Sequence, residues 1–444
     1  MTSLRLKERA RHPAIRIVLL TGLLAGTQSG FAVVSARWLG PSERGVFTIA
    51  SAIASFSMLV GSMGVYTGGR VLLSTPASRF MFSHYRRVIA VLTAAQVSII
   101  VIVWMPVWHL LTGVNSRAAF AMFGVYCALM AAASLAREGV HGVGKHVLAT
   151  LSDVAAATVQ ISLGVVLYLV NEVTVTSLLG CGVIGFVIQL LICNLSGRDT
   201  PRTGEARPSS SVGALKITYR VVLFSLPGLI LAVGQLFIQK GDRLILGIFS
   251  QPRDVGIYAA GATIADGAWI LPASLSVIVV RQVAMTNSLE PLRRWRRAIL
   301  AMTCLSSLVL AGSGSTLIHL LLGSSYQGAS PILWILCVGS PLFASQQIDL
   351  AACNGAGRLD IGAKVTAWGV LTLIILSVGL IPAYQGVGAA LASIGAYGCM
   401  AVLARKGVRR IERGGTAGRR PPASDAAGRR LGSQDAPNRM NLGL

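Results

Sequence analysis

The sequence predicts an all-α integral membrane protein of about twelve transmembrane helices, arranged as two similar six-helix bundles facing each other. Two observations carry that expectation. Hydrophobic residues make up 53% of the chain and charged residues 12%, with a mean hydropathy of +0.67; a soluble domain carries about 25% charged residues. The chain also repeats itself once. Pro41-Ser-Glu-Arg-Gly45-Val-Phe matches Pro252-Arg-Asp-Val-Gly256-Ile-Tyr in residue type at an offset of 211, and each copy opens a long apolar run. His141-Gly-Val-Gly-Lys145 is echoed by Asn354-Gly-Ala-Gly-Arg358. In a membrane protein, a repeat at half length suggests a substrate path between the halves.

Apolar runs long enough to cross a hydrocarbon core of roughly 30 Å recur along the chain. In order they are Ile17–Ala36, Val46–Val65, Val88–Trp108, Ala118–Ala136, Leu148–Val170 and Val175–Cys193, then Val221–Ile238, Val255–Val280, Ala298–Leu322, Pro331–Ala344, Val365–Ile381 and Gly386–Ala404. The tenth is short and flanked by proline. The runs are apolar on every face without period-two alternation, so helices are expected rather than barrel strands. The first run has a basic leader but no small-residue cleavage site, and reads as a retained anchor. Residues 1–16 form a basic N-terminus, 17–195 the first six spans and 196–220 a polar linker. Residues 221–404 hold the second six spans, and 405–444 form an Arg-, Gly- and Pro-rich tail expected to be disordered.

The net charge of +23 does not point to nucleic acid. Most of the 39 Lys and Arg residues fall on alternate loops that share a side with the N-terminus. That asymmetry is the positive-inside rule; it places both termini in the cytoplasm and suits contact with anionic membrane lipids. The seven cysteines lie within or at the ends of apolar runs with no C-x-x-C pair, so neither a disulfide framework nor a metal site is expected. The phosphate-binding loop, the H-E-x-x-H zinc motif and the G-x-S-x-G elbow are absent from the sequence. An enzyme is not expected, nor a cofactor. Gly386-Val-Gly388 opens a span without a preceding soluble strand and reads as a turn and packing feature. The same packing role is expected of Gly64-x-x-x-Gly68 and of Gly180, Gly182 and Gly185.

Ionisable residues inside apolar runs are the functional candidates, because a charge at mid-bilayer costs roughly 2.5–3.5 kcal/mol and needs a wet cavity or a partner. The seventh run passes through Gln239-Lys240-Gly241-Asp242-Arg243 before turning apolar again. If helical throughout, it puts Lys240 and Arg243 on one face; if it stops at Ile238, they are interfacial residues that snorkel. Arg37 closes the first run, at a cavity mouth or at the interface. Arg70 and Arg281 are repeat equivalents at the inner ends of spans two and eight, serving either as positive-inside anchors or as cations for phosphate oxygens. Asp153, Asp242, Asp266 and Asp349 are either charge partners of nearby cations or sites for a coupling ion. Pro227 and Pro272 interrupt spans seven and eight.

Ala36-Arg-Trp-Leu-Gly-Pro-Ser-Glu-Arg-Gly45-Val-Phe-Thr-Ile-Ala resembles the first-to-second helix passage of Wzx-like polysaccharide flippases. Gly241-Asp-Arg-Leu-Ile-Leu-Gly247 with Val255-Gly-Ile-Tyr258 resembles their seventh-to-eighth passage. Asn354-Gly-x-Gly-Arg358 and Ile381-Pro-Ala-Tyr-Gln-Gly-Val-Gly-Ala-Ala390 resemble their last helices. The resemblance covers nearly all of residues 15–404. It implies the multidrug/oligosaccharidyl-lipid/polysaccharide (MOP) exporter superfamily, whose two lobes surround a central cavity. It further implies a bacterial inner-membrane flippase for undecaprenyl-pyrophosphate-linked oligosaccharide, serving O-antigen, capsule or exopolysaccharide biosynthesis. A polysaccharide polymerase and other assembly proteins are the implied partners. Cavity cations would hold the pyrophosphate, a role that suits Lys240, Arg243, Arg37 and Arg281. The rival readings are a drug/cation antiporter of the same superfamily, which should favour acidic cavity residues, and a non-transporting membrane subunit of a polysaccharide assembly machine. The long basic tail lies outside the family pattern.

Overall fold

Most turns between spans are made at a residue with left-handed backbone angles: Gly40, Gly113, Gly144, Asn171, Gly323, Gly357 and Gln385. A computed structural model of the chain describes residues 2–74, 81–114, 116–196, 214–269, 279, 282–283, 286 and 288–413. Of the expected linker at 196–220, residues 197–213 lie outside the described residues, while 196 ends one helix and 214–220 begin another; residues 414–444, Arg281 and Pro272 also lie outside them.

Two of the turns are hidden inside long helical stretches. Thr2–Gly61 is broken at Gly40, which has φ 71° and ψ 172°, angles that glycine takes without a Cβ penalty. Arg44 Nη1 donates to Ser35 Oγ at 3.2 Å. Nine residues of straight helix would separate the two by about 13 Å of axial rise, so the chain folds back at Gly40. Leu359–Arg413 is broken in the same way at Gln385. A Cβ on Gly388 would touch the Leu380 carbonyl, a contact that only a reversal permits.

The expected spans map onto this architecture in order. Spans one and two share Thr2–Gly61, with span two continuing into Val65–Ser74. Span three is Phe82–Thr112, which contains a π-helical turn at Ile100–Trp104. Arg117–Gly142, His146–Leu169 and Val175–Ser196 are spans four to six. Span seven is Ala214–Phe249, and span eight begins with Pro252–Asp266 and a 3-10 turn at Gly267–Trp269. Glu290–Leu322 and Ala329–Gly355 are spans nine and ten, and Leu359–Arg413 holds eleven and twelve. Among the described residues, eight helices are long and apolar enough to cross a membrane, or nine if the bent pair 217–226 and 228–249 counts as one. The two broken helices each contribute two spans, and span eight runs beyond the described residues. The chain is therefore a multi-pass helical membrane protein.

Two details differ from the sequence expectation, and a third is one of the two alternatives that the sequence leaves open. Span ten is nearly twice as long as expected and accommodates Pro341 within the helix. The last helix continues past residue 404 to Arg413. Span seven is helical through Lys240 and Arg243 to Phe249, with a bend of 59° at residue 227.

The duplicated motif packs against itself. A Cβ on Gly45 would strike the Pro252 carbonyl and approach Gly256 N at 3.1 Å; a Cβ on Gly256 would strike the Pro41 carbonyl and approach Gly45 N at 2.9 Å. Each copy of the Pro-x-x-x-Gly turn thus seats its glycine on the other's first carbonyl, as a pseudo-twofold axis requires. Around this crossing one apolar cluster joins the halves, with Ile49, Ile53, Trp108 and Phe123 from the first and Leu246, Tyr258, Leu333 and Ile381 from the second. At the opposite, arginine-rich end the cores separate. One holds Ile299, Phe343, Ile348 and Met400 of the second half. The other holds Tyr85, Val88 and Leu135 of the first half, joined by Ile217 and Val221 from the start of span seven. Gly64 and Gly68 admit that start by lying against Ser225.

The crossing has a direct test. Gly45→Ala and Gly256→Ala should each destabilise the protein by about 1–3 kcal/mol through overpacking, read as a lower thermal midpoint in detergent. Gly180→Ala, where an added Cβ meets nothing within 4 Å, should leave the midpoint unchanged or raise it, because alanine is the better helix former.

Candidate functional site

Span seven carries the charges that sequence reasoning singled out, and its continuous helix sets Lys240 and Arg243 one turn apart on one face. Lys240 Nζ donates to Ser55 Oγ at 2.8 Å, a bond from the second half to the first. Arg243 Nη2 meets Asp266 Oδ2 at 3.4 Å. Asp242, between them in the sequence, is 4% exposed. It accepts hydrogen bonds from Tyr258 Oη, from Ser393 Oγ at 3.3 Å and from the Arg243 amide at 2.8 Å. Asp242 therefore fixes the roll of span seven, and with it the direction in which Arg243 faces.

Arg243 lines a small cavity of about 20 Å³ in the second half, whose walls include Gln239, Asp242, Tyr258, Asp266, Ser340 and Tyr397. The walls come from spans seven, eight, ten and twelve. A third cation stands nearby. Arg44 is 6% exposed, donates to Ser35 Oγ and lies 5.7 Å from the centroid of the Phe47 ring. Arg44 and Lys240 are both within electrostatic range of Arg243. Among the described residues neither Arg44 nor Lys240 has a carboxylate within ion-pair distance. Arg44 is buried and Lys240 partly buried; a cation held away from water without a paired carboxylate is costly and favours an anion nearby.

The remaining candidates lie elsewhere. Arg37 is at the end where the two motif copies cross, donating from Nη1 to the Leu320 carbonyl at 3.1 Å. Beside it Tyr326 Oη donates to the Ala36 carbonyl at 2.6 Å; burial pushes the Tyr326 pKa up, which keeps the phenol a donor. Arg70 is half-exposed at the arginine-rich end and meets Glu138 Oε2 at 3.5 Å. Asp153 receives Arg137 Nη1 at 3.2 Å and Gln189 Nε2, while Arg137 Nη2 reaches Glu138 Oε1 at 3.1 Å and Tyr66 Oη at 2.7 Å. Asp349 is fully buried between Arg296 at 3.4 Å and Arg405 at 3.8 Å. The arginine-rich end of each half thus holds its own ion-pair network. His141 and His146 come together there, Nδ1 to Nδ1 at 3.2 Å. Among the described residues no group of three or more His, Cys, Asp and Glu side chains is placed to hold a metal ion.

Sequence reasoning passed over Arg44, Arg137, Glu138, Tyr258 and Ser393. For Arg44 a signal existed: within the duplicated motif its repeat counterpart is Val255, so the two copies differ in charge at a position that both bury.

No family model and no curated protein matches the chain. Solved structures do. The lipid II flippase MurJ in an inward closed conformation aligns with a TM-score of 0.71 at 13% identity, over 89% of this chain and 87% of that one. An inward-facing multidrug resistance MATE family transporter of the MOP superfamily gives 0.61 at 15% identity, over 89% and 96%. A mutant of the Vibrio cholerae MATE transporter VcmN gives 0.58 at 11%, over 91% and 98%. The chain shares their fold of two pseudo-symmetric helical lobes.

Arg137→Met should be among the most damaging substitutions in the first half. It leaves Glu138 and Asp153, 7% and 14% exposed, without their shared cation, at a cost of about 3–5 kcal/mol. Reduced abundance in the membrane and a lowered thermal midpoint would register that loss.

Proposed function

We propose that the protein is a flippase of the MOP superfamily that carries undecaprenyl-pyrophosphate-linked oligosaccharide across the bacterial inner membrane for surface or exported polysaccharide biosynthesis. The observation that carries this reading is the convergence of Arg44, Lys240 and Arg243 beside a cavity wall to which the described residues contribute two carboxylates, Asp242 and Asp266. Sugar hydroxyls lose their hydrogen bonds in hydrocarbon, so the head group needs a polar route. Arginine forks suit phosphate oxygens, and Gln239, Ser340 and Tyr397 offer hydrogen bonds to sugar. The lipid tail stays in the bilayer. The two lobes, joined at one end and separate at the other, alternate which end is open. By the positive-inside rule the separate, arginine-rich end faces the cytoplasm. Arg70 stands at that mouth and Arg37 at the opposite one. A polysaccharide polymerase that consumes the product outside would draw net transport outward.

The drug/cation antiporter remains a second reading, supported by the two carboxylates and by the MATE transporters among the similar folds. In cells that make the polysaccharide, Lys240→Ala, Arg243→Ala and Arg44→Ala should each lower export about 10- to 100-fold at normal protein abundance, the loss expected when one partner of a buried charge contact is truncated. Lipid-linked oligosaccharide should accumulate on the inner leaflet. Unchanged export in all three single variants and in the triple variant would refute the flippase reading, and drug sensitivity on deletion would favour the antiporter.

A further inference from the structure

The last helix is longer than the hydrocarbon it crosses. From the reversal at Gln385 to Arg413 it measures about 42 Å, against a hydrocarbon core of roughly 30 Å. Its arginine-rich end is the part that projects. A Cβ on Gly407 would meet Ile361 Cγ2 at 2.6 Å and lie 3.7 Å from Cys353 Sγ, residues that flank the turn at Gly357. The residues after Gly407 therefore run beside and past that turn. Glu412 meets Arg293 Nη2 at 3.3 Å in the first turn of span nine. Next along that helix comes Trp295, a residue type enriched at head-group level. The two sides of this end differ sharply. Ala404 and Val408 are fully buried in the core of the second half, and Ile411 packs against it. Lys406, Arg409, Arg410 and Arg413 are exposed. Their i, i+3, i+4, i+7 spacing puts all four within an arc of about 100° on the opposite side. Among the described residues, the ion pairs of this end are Arg405 with Asp349 and Glu412 with Arg293; the four exposed cations take part in neither. Deeper in the membrane the same face carries Leu391 and Val402, 41% and 55% exposed. One face thus passes from apolar to cationic as the helix leaves the hydrocarbon, the pattern of a surface turned to lipid.

We propose that Lys406, Arg409, Arg410 and Arg413 form a binding site for the head groups of anionic phospholipids in the leaflet at the arginine-rich end, the cytoplasmic one by the positive-inside rule. The inference does not depend on what the protein transports. The head-group layer is about 6 Å deep on each side, and the four residues span it along about 10 Å of helix. Arginine forks take phosphate oxygens through paired hydrogen bonds. Lys406, nearest the hydrocarbon, reaches the same phosphates along its four-carbon stem. A zwitterionic head group brings its own ammonium and leaves the field of four cations uncompensated, whereas an anionic one compensates it. Because the opposite side of the helix is built into the second core, lipid held here is held by that half.

Native mass spectrometry of the full-length protein tests this, with equal amounts of phosphatidylglycerol and phosphatidylcholine of the same acyl chains added in detergent. Wild type should retain phosphatidylglycerol about tenfold over phosphatidylcholine. Lys406→Gln, Arg409→Gln, Arg410→Gln and Arg413→Gln combined should bring the two lipids near parity. Arg409→Gln with Arg410→Gln alone should lower the preference about threefold, which guards against a folding failure of the fourfold variant. Arg419→Gln, Arg420→Gln, Arg429→Gln and Arg430→Gln combined remove the same charge from the tail and should leave the preference as in wild type. An equal loss in that tail variant would reduce the effect to net charge and overturn the site. Wild-type preference in both the twofold and fourfold variants of the helix would also overturn it and leave the stripe to an acidic protein partner. Displacement of the lipid by millimolar inorganic phosphate would assign the stripe to a soluble anion and remove the phospholipid as its occupant.

Discussion

The contact between the two Pro-x-x-x-Gly turns is the constraint on which the rest of the fold depends. Helices in lipid gain little from burying apolar surface, so close approach of backbones has to supply the attraction. At Gly45 and Gly256 no side chain stands between the helices, and each glycine rests on the opposing proline carbonyl. That arrangement sets the angle between spans two and eight, and the mixed apolar cluster forms around it. Farther from the crossing one core belongs to the second half, and the other to the first half together with the start of span seven. The two halves are thus joined most closely at the crossing, and farther away only the start of span seven ties the second half to the first.

Charge is distributed with the same logic. At the arginine-rich end, Arg137 satisfies Glu138 and Asp153 within the first half, and Arg296 and Arg405 flank Asp349 within the second. These networks tie helices within a half and do not bridge the halves. Each half can then move as a body without breaking buried ion pairs, which would be expensive to separate in a low dielectric. The contacts that do cross are lighter: Lys240 to the Ser55 hydroxyl, Arg37 to a carbonyl and Tyr326 to a carbonyl. Neutral acceptors of this kind can be exchanged for water or ligand at modest cost.

The sequence carried the fold more clearly than the site. Apolar runs and left-handed turn residues such as Gly40, Gly113 and Gly323 marked the span order, and the echo between residues 41 and 252 marked the two halves. Span ten was read short because Gln346, Gln347, Asp349 and Asn354 lower its hydropathy. Gln346 and Asp349 lie buried inside the lobe, away from lipid, and hydropathy cannot tell those environments apart. Lys240 and Arg243 were visible because they interrupt an apolar run. Arg44 was not, because it sits in a polar turn where arginine is ordinary and only its burial makes it unusual. The network around Arg137 was illegible for another reason: its partners come from spans two, five and six, and no local pattern records which of them meet.

The bend in span seven has a geometric consequence. The part before residue 227 packs with the first half through Ile217 and Val221, while the part after it belongs to the second through Ile238 and Leu246. Residue 227 is a proline, which offers no amide to the helical ladder. Lys240 lies thirteen residues beyond it, roughly 20 Å of helix. A change of about 10° in the bend would sweep the ammonium sideways by about 3 Å, more than its bond to Ser55 can tolerate. Were the bend at residue 227 to change, the contact between Lys240 and the Ser55 hydroxyl would be the first to register it.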